Sequence, residues 1–301
     1  MRVLVTGATG FIGRELARAL AARGDQVVAL TRNQQTARAM LPELAAAWAW
    51  RPVEEPAPAD AFEGVDAVVN LVGERTHGRW TSAKRRAILE TRETATRNLV
   101  AGMQGGDTSV LVSGSALGYY GDRGDEELTE DSAPGRGFLA GVCAKWEAAA
   151  EEAAPARVVT LRTGLVLGGD GGMLASLLPM ARLGLSGPLG SGRQWWPWIH
   201  RDDVVGLALH ALDNADLTGP LNVSAPAPVR QREFARALGR ALRRPAFLPA
   251  PRTALRLALG GFAEEVLSSR RMLPARAMAS GYSFRYLELE DALRDSLGML
   301  T

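Results

Sequence analysis

The stretch VLVTGATGFIGRELARAL at residues 3–20 places Gly7, Gly10 and Gly13 between an apolar run and a helical pattern. Glycine at such positions permits a tight turn, close approach of backbone to a diphosphate, and close packing of helix on strand. Thr9, Phe11 and Ile12 would bring backbone N–H groups and a helix N-terminus, where the dipole favours negative charge, toward the phosphates. The pattern predicts dinucleotide binding. A plain glycine-rich turn is the competing explanation, and the preceding strand and following helix weigh against it. At the end of the second apolar run stand Thr31, Arg32 and Asn33, where a site for a free ribose 2′-hydroxyl would carry an acid. A guanidinium and a hydroxyl suit a 2′-phosphate instead, so the expected cofactor is NADP(H), with Thr31 and Arg32 as its contacts. Asn70, Leu71 and Gly73, at the end of the fourth strand, are expected to line the same cofactor. Glu74 beside them is a candidate acid or base if burial raises its pKa.

These residues need a scaffold, and the periodicity supplies one. Val3–Thr6, Val27–Thr31, Val65–Val72, Val110–Ser113 and Val158–Val166 read as strands, several apolar on both faces, which is the mark of a parallel sheet covered by helices. Leu16, Ala19 and Leu20 recur at helical spacing, and Ile88, Ala95, Leu99 and Met103 form one stripe within a single segment from Thr81 to Met103. The expected fold is α/β: a doubly wound, Rossmann-type parallel sheet over residues 1–170, with segments near 200–225 returning to it. Residues 171–301 are expected to form a mixed substrate and C-terminal lobe, mainly helical over 226–301, with helices at Gln231–Arg243, Thr253–Leu267 and Leu289–Leu297.

Composition narrows the function classes. Over 301 residues, 47% hydrophobic and 23% charged residues describe an ordinary globular chain, and the net charge of +2 is not that of a polycation built for nucleic acid. The charge is uneven. Pro226 to Thr301 holds thirteen Arg against seven Asp and Glu, a basic lobe that reads as solvated helix surface before it reads as an anion site. No run is long enough to span a membrane, and the start lacks a secretory pattern. A lone cysteine, Cys143, and only three histidines predict no disulfide and no metal site, so a cytoplasmic location is expected. Cys143 reads as core filling, with no histidine or cation visible in the sequence to activate it.

TGATGFIG at 6–13, NLVGE at 70–74, SGSALGYYG at 113–121, RTGLVLG at 162–168 and WIHRDD at 198–203 resemble the extended short-chain dehydrogenase/reductase superfamily. GRW at 78–80, RRAILETR at 85–92, FLAGVCAKWE at 138–147 and SSRRMLPARAMASGYSF at 268–284 are similar to its atypical epimerase-family branch. That branch is of the NAD-dependent epimerase/dehydratase type and ends in a domain of unknown function. The resemblance implies hydride transfer at a sugar or carbonyl carbon, with a Tyr-x-x-x-Lys pair on a helix. No such pair exists here. Trp80 and Gly141 stand four residues before the two lysines, Lys84 and Lys145, and the usual catalytic positions hold Leu139 and Cys143.

Ser115 matches the superfamily's catalytic hydroxyl position, with a small residue closing a buried strand as the alternative. Tyr119 and Tyr120 are the nearest phenols and candidate proton donors. The resemblance also sets Trp195 and Trp196 beside the substrate cleft with His200 near them, although His200 reads first as structural at a helix start. Two readings follow. One is an NADP(H)-dependent oxidoreductase or epimerase acting on a small carbonyl or sugar-nucleotide substrate through non-standard groups. The other is a silent NADP(H)-binding sensor. The intact glycine loop and the aromatic cleft favour the first; the missing pair favours the second.

Overall fold

The structure, a computed structural model, describes residues 1–299, so positions 300 and 301 of the expected C-terminal lobe lie outside the described residues. Seven parallel strands form the central sheet: β1 (Arg2–Thr6), β2 (Gln26–Thr31), β3 (Ala46–Ala49), β4 (Ala67–Asn70), β5 (Val110–Ala116), β6 (Arg157–Thr163) and β7 (Gly219–Val223). Their spatial order is β7-β6-β5-β4-β1-β2-β3. The order reverses between β1 and β4, and in such sheets the crevice outside the carboxyl ends of the strands at that point receives ligands.

The alternation along each strand explains why both faces are covered. Val3, Val5, Ala29, Val69 and Val112 point to one layer, where they meet Leu16 and Leu20 of α1 (Gly13–Ala22). Leu4, Val28, Val68 and Leu111 point to the other, against Phe62, Leu99 and Met103. Burying both faces makes a one-residue register slip unfavourable in every strand, since it would exchange the two layers.

Six more helices accompany the sheet and its edges: α2 (Gln34–Met40), α3 (Ser82–Glu90), α4 (Glu93–Met103), α5 (Phe138–Glu151), α6 (Gly172–Arg182) and α7 (Arg201–Asp213). The chain then runs through α8 (Gln231–Leu242), α9 (Arg252–Leu259), α10 (Phe262–Leu267), α11 (Ala275–Ala279) and α12 (Leu289–Ser296). Trp196, Trp198, Phe234, Phe262, Leu289 and Leu293 belong to a hydrophobic cluster distinct from the two sheet layers.

Three expected elements are broken where the sequence suggested continuity. The helix from Thr81 to Met103 divides at Thr91 and Arg92 into α3 and α4. Thr253–Leu267 divides at Gly260, whose φ of +57° favours glycine, and Gly261. The strand ending at Val166 divides at Gly164, where a Cβ would lie 2.5 Å from the Pro197 carbonyl oxygen. Leu165–Leu167 then pairs outside the main sheet with Trp198–His200. Only this last break moves the chain off the sheet edge and toward the second core. No helix of the described residues is long and apolar enough to cross a membrane.

Candidate functional site

Two adjoining spaces open at the carboxyl edge of the sheet. The first, a crevice of about 450 Å³, is bounded by Gly7, Thr9 and Gly10, by Leu30 to Arg32 at the end of β2, and by Leu71 to Arg75 after β4. Gly7 has φ +67°, and a Cβ on it would lie 2.8 Å from the Leu71 carbonyl oxygen, so only glycine suits this turn. A Cβ on Gly13 would lie 2.2 Å from the Gly7 carbonyl oxygen, which is how closely α1 sits on the loop. The helix begins with no side-chain cap, leaving its first N–H groups for a ligand. The geometry is that of a phosphate cradle.

Asn70 holds this cradle together. It is fully buried, its Oδ1 accepts from Thr6 Oγ1 at 2.8 Å, and its Nδ2 donates to Thr96 and Ser113. Thr6 Oγ1 in turn accepts from the backbone N–H groups of Leu71 and Val72. The expectation that Asn70 lines a cofactor is corrected on this point: its amide is spent fastening β4 to β1, β5 and α4. Leu71 and Gly73 do face the crevice, as do Thr31 and the exposed Arg32. Glu74 also borders it, half exposed, with its carboxylate 2.5 Å from Lys84 Nζ. Half exposed and paired with Lys84, Glu74 lacks the burial on which its acid role was conditional.

The second space, about 320 Å³, lies beyond Phe11 and Ile12 and is walled by Ala116, Leu117, Leu139, Thr163, Trp195 and Trp196. α10 and the segment after it close it with Phe262, Glu265, Ser268 and Arg270. Thr76, His77 and Arg92 complete the lining. Burial, followed by the charges of Arg75 and Lys84, holds the His77 imidazole below its usual pKa, so it is neutral at pH 7. His77, Arg92 and Arg270 carry no signal in composition or spacing. The motif RRAILETR ends at Arg92, and Arg270 is the third residue of SSRRMLPARAMASGYSF.

The expected catalytic hydroxyls lie elsewhere. Ser115 Oγ donates to Glu147 at 2.6 Å, and Glu147 accepts both Nε and a terminal nitrogen of Arg162 at 2.9 and 2.8 Å. Arg162 donates to the Tyr120 hydroxyl, which donates to Asn222 at 2.6 Å. Tyr120 is fully buried, and burial pushes its phenol up to about 12 despite Arg162. Tyr119 lies with its ring face 3.4 Å from the Arg162 guanidinium and its edge against Tyr120. None of Ser115, Tyr119 and Tyr120 lines either space. The reason is strand geometry: Ala116 faces the cavity, so Ser115 faces away, directly opposite Arg162 on β6.

Leu139 borders the cavity where the resemblance expects a phenol. Cys143 is buried, and burial pushes its thiol up to about 12, which fits core filling. Lys145 points outward to Glu93.

The family comparison agrees with this geometry. The family model described as "NAD dependent epimerase/dehydratase family" matches residues 3–224. The chain belongs to that family. A second model, a domain of unknown function, DUF1731, matches residues 250–296, which include the α10 segment that closes the cavity. Among relatives, the chloroplastic epimerase family protein SDR39U1 homolog of Arabidopsis thaliana is 39% identical over 98% of this chain and 86% of its own. Epimerase family protein YfhF of Bacillus subtilis is 36% identical over 97% of both. The crystal structure of human epimerase family protein SDR39U1 (isoform 2) with NADPH superposes with a TM-score of 0.88, at 34% identity, over 100% of both chains. A Bacillus cereus UDP-glucuronic acid 4-epimerase shares the fold at TM-score 0.79 and 16% identity, covering 99% of this chain and 98% of its own.

His200 is corrected as a cleft residue. It is buried at the start of α7, where its Nδ1 accepts from the Asp202 N–H at 3.2 Å, and its Nε2 lies 3.1 Å from Asp295. Its ring rests on Tyr286 at 4.0 Å, so it ties α7 to α12. Burial holds its pKa below the usual value of 6.5, outweighing the upward pull of Asp202, Asp295 and Asp203, with Arg201 adding to the lowering. The neutral ring is therefore the folded form. The unfolded chain takes up this proton first as pH falls, so the stability it contributes is present above about 6.5 and lost as pH drops through the folded value. Between pH 7 and 5 the urea midpoint of the wild type is expected to fall further than that of His200→Gln. Parallel falls would assign the titration to another group.

Proposed function

We propose that the protein binds NADPH in the glycine-loop crevice and acts on a small carbonyl or sugar-type substrate in the adjoining aromatic cavity, as an oxidoreductase or epimerase with non-standard catalytic groups. The observation that carries this reading is the pairing of a phosphate cradle with a largely apolar, aromatic-walled cavity at one switch point of the sheet. The glycine loop and the start of α1 would hold the diphosphate. Arg32 and Thr31 would hold the 2′-phosphate, and no acid stands beside them at the end of β2 to repel it. When bound, NADPH supplies a hydride. The chain's part is to orient the substrate, with Thr76, Thr163, Ser268 and His77 as the available hydrogen-bond groups, and to exclude water with Trp195, Trp196 and Phe262. In this reading the nucleotide-binding part is residues 1–170 with the segments near 200–225, and the remainder supplies the substrate lobe.

The reading makes a test of cofactor choice. An Arg-to-phosphate hydrogen bond is worth ~1.5–3 kcal/mol, so NADPH is expected to bind at least roughly tenfold more tightly than NADH. Calorimetry on Arg32→Ala should show most of that preference gone with NADH binding unchanged. Equal affinities in the wild type would overturn the 2′-phosphate assignment.

Leu139 and Cys143 at the positions of the family's Tyr and Lys favour a second reading, an NADPH-binding sensor without turnover. A screen of NADPH oxidation against carbonyl compounds and sugar nucleotides separates the two. Turnover with any of them removes the sensor reading, and none across a broad panel removes the enzyme.

A further inference from the structure

Arg92 stands at the break between α3 and α4, with its guanidinium on the wall of the second cavity. One terminal nitrogen donates to the carbonyl oxygens of Glu74 and Ile88, at 3.1 and 3.2 Å. Nε and the other terminal nitrogen make no hydrogen bond, and among the described residues Arg92 forms no salt bridge. The group rests 5.0 Å from the Trp146 ring. Burial lowers its pKa, yet an arginine so placed stays protonated at neutral pH. Arg92 is half-buried, and a cation so enclosed with no anion paired to it is costly, so structures tend to pair such charges. The cavity's other guanidinium already has a partner: Arg270, almost fully buried, lies 2.5 Å from Glu265. The charged groups on the cavity wall are thus two cations and one anion, with the surplus at Arg92.

We propose that Arg92 is the anchor for the carboxylate of a small carbonyl substrate, so that the cavity selects carboxylic acids over neutral compounds of the same shape. This rests on the substrate-cavity reading above and names its substrate class. A carboxylate matches the free fork of a guanidinium with two parallel hydrogen bonds, and its single charge balances the surplus. A phosphate monoester carries up to two charges, one more than the single surplus at Arg92 balances. The aromatic walls of Trp195, Trp196 and Phe262 would cover the apolar body of the acid.

Calorimetry with benzoate, benzamide and inorganic phosphate as probes, on the NADPH-loaded and free protein, tests this. Benzoate is expected to bind at least tenfold more tightly than benzamide, and phosphate more weakly than benzoate. Arg92→Gln should erase the benzoate preference, Arg92→Lys should keep part of it, and both should bind NADPH within twofold of the wild type. Equal binding of benzoate and benzamide to the wild type would overturn the proposal. So would a preference that survives in Arg92→Gln, phosphate binding as tight as benzoate, or a loss of NADPH affinity in the variant, which would make Arg92 a cofactor residue. Failure of the wild type to bind NADPH would instead overturn the cofactor reading, and benzoate titration of the free protein would still read the anion site. If Arg92→Gln does not fold, the wild-type probe ratio and Arg92→Lys decide.

Discussion

Glu147→Gln is expected to lower the unfolding free energy by about 3–5 kcal/mol and the Tm by roughly 5–8 °C. The substitution keeps the shape of the side chain and removes its charge, leaving Arg162 inside the protein with no carboxylate partner. Burial opposes the charge on Arg162, while hydrogen bonding and charge pairing with Glu147 raise its pKa above the ordinary arginine range. The pair is almost fully enclosed, with side chains 4% and 9% exposed, so solvent screens it little. Breaking one partner is costly because the other charge stays buried, whereas removing both is not. Glu147→Leu combined with Arg162→Met should therefore be more stable than either single variant. Urea unfolding of the three proteins reads the coupling directly. Arg162 also donates to the Glu130 carbonyl oxygen at 3.1 Å, and a Glu147→Gln protein within about 1 kcal/mol of the wild type would mean that this carbonyl and the tyrosine faces hold Arg162 by themselves.

The same network bears on the site. Ser115 on β5, Glu147 on α5 and Arg162 on β6 are joined side chain to side chain, and each of these elements also sends a residue into the cavity: Ala116, Leu139 near the start of α5, and Thr163. A fault in the network should displace three walls together. Ser115, at the superfamily's hydroxyl position, donates its hydroxyl to this network.

How much of this could be read in advance follows from the range of the interactions. The glycine loop and the buried strands are local patterns, in which periods of two and of about 3.6 residues are set by backbone geometry, and the sequence shows them plainly. The direction of a single side chain at a strand end is a local matter too, but it depends on where the strand stops. β5 continues to Ala116, and that extension turned Ser115 inward against Glu147. Arg92 escaped notice for a different reason. The stripe Ile88, Ala95, Leu99 and Met103 runs across the break between α3 and α4, so a helix reading passes over the one residue that the break aims at the cavity. The wall made by Phe262, Glu265, Ser268 and Arg270 exists only because the C-terminal segment docks on the sheet edge. That docking rests on tertiary contacts between residues about 70 to 147 positions apart, such as Trp196 with Val266 and Asp122 with Ser269, with no local signature.

Gly10→Val is expected to weaken NADPH binding by at least about a hundredfold, close to 2.7 kcal/mol, in a protein that stays folded. Gly10 is exposed on the rim of the crevice, and its Cβ would have one close neighbour, the Gly7 carbonyl oxygen at 3.0 Å. The valine methyls would then occupy the space that a diphosphate needs against the loop backbone, while the core residues of α1, Leu16, Ala17 and Leu20, keep their packing. Gly13→Val makes the contrast. Its Cβ would collide with the backbone of Gly7 and Ala8, at 2.2 to 3.0 Å, so α1 must move off the loop and stability should fall along with binding. Calorimetry for NADPH and urea unfolding on both variants separates a blocked cradle from a damaged fold. Wild-type NADPH affinity in a folded Gly10→Val protein would show that the diphosphate does not lie on this loop, and the triplet would then be only the turn that joins β1 to α1.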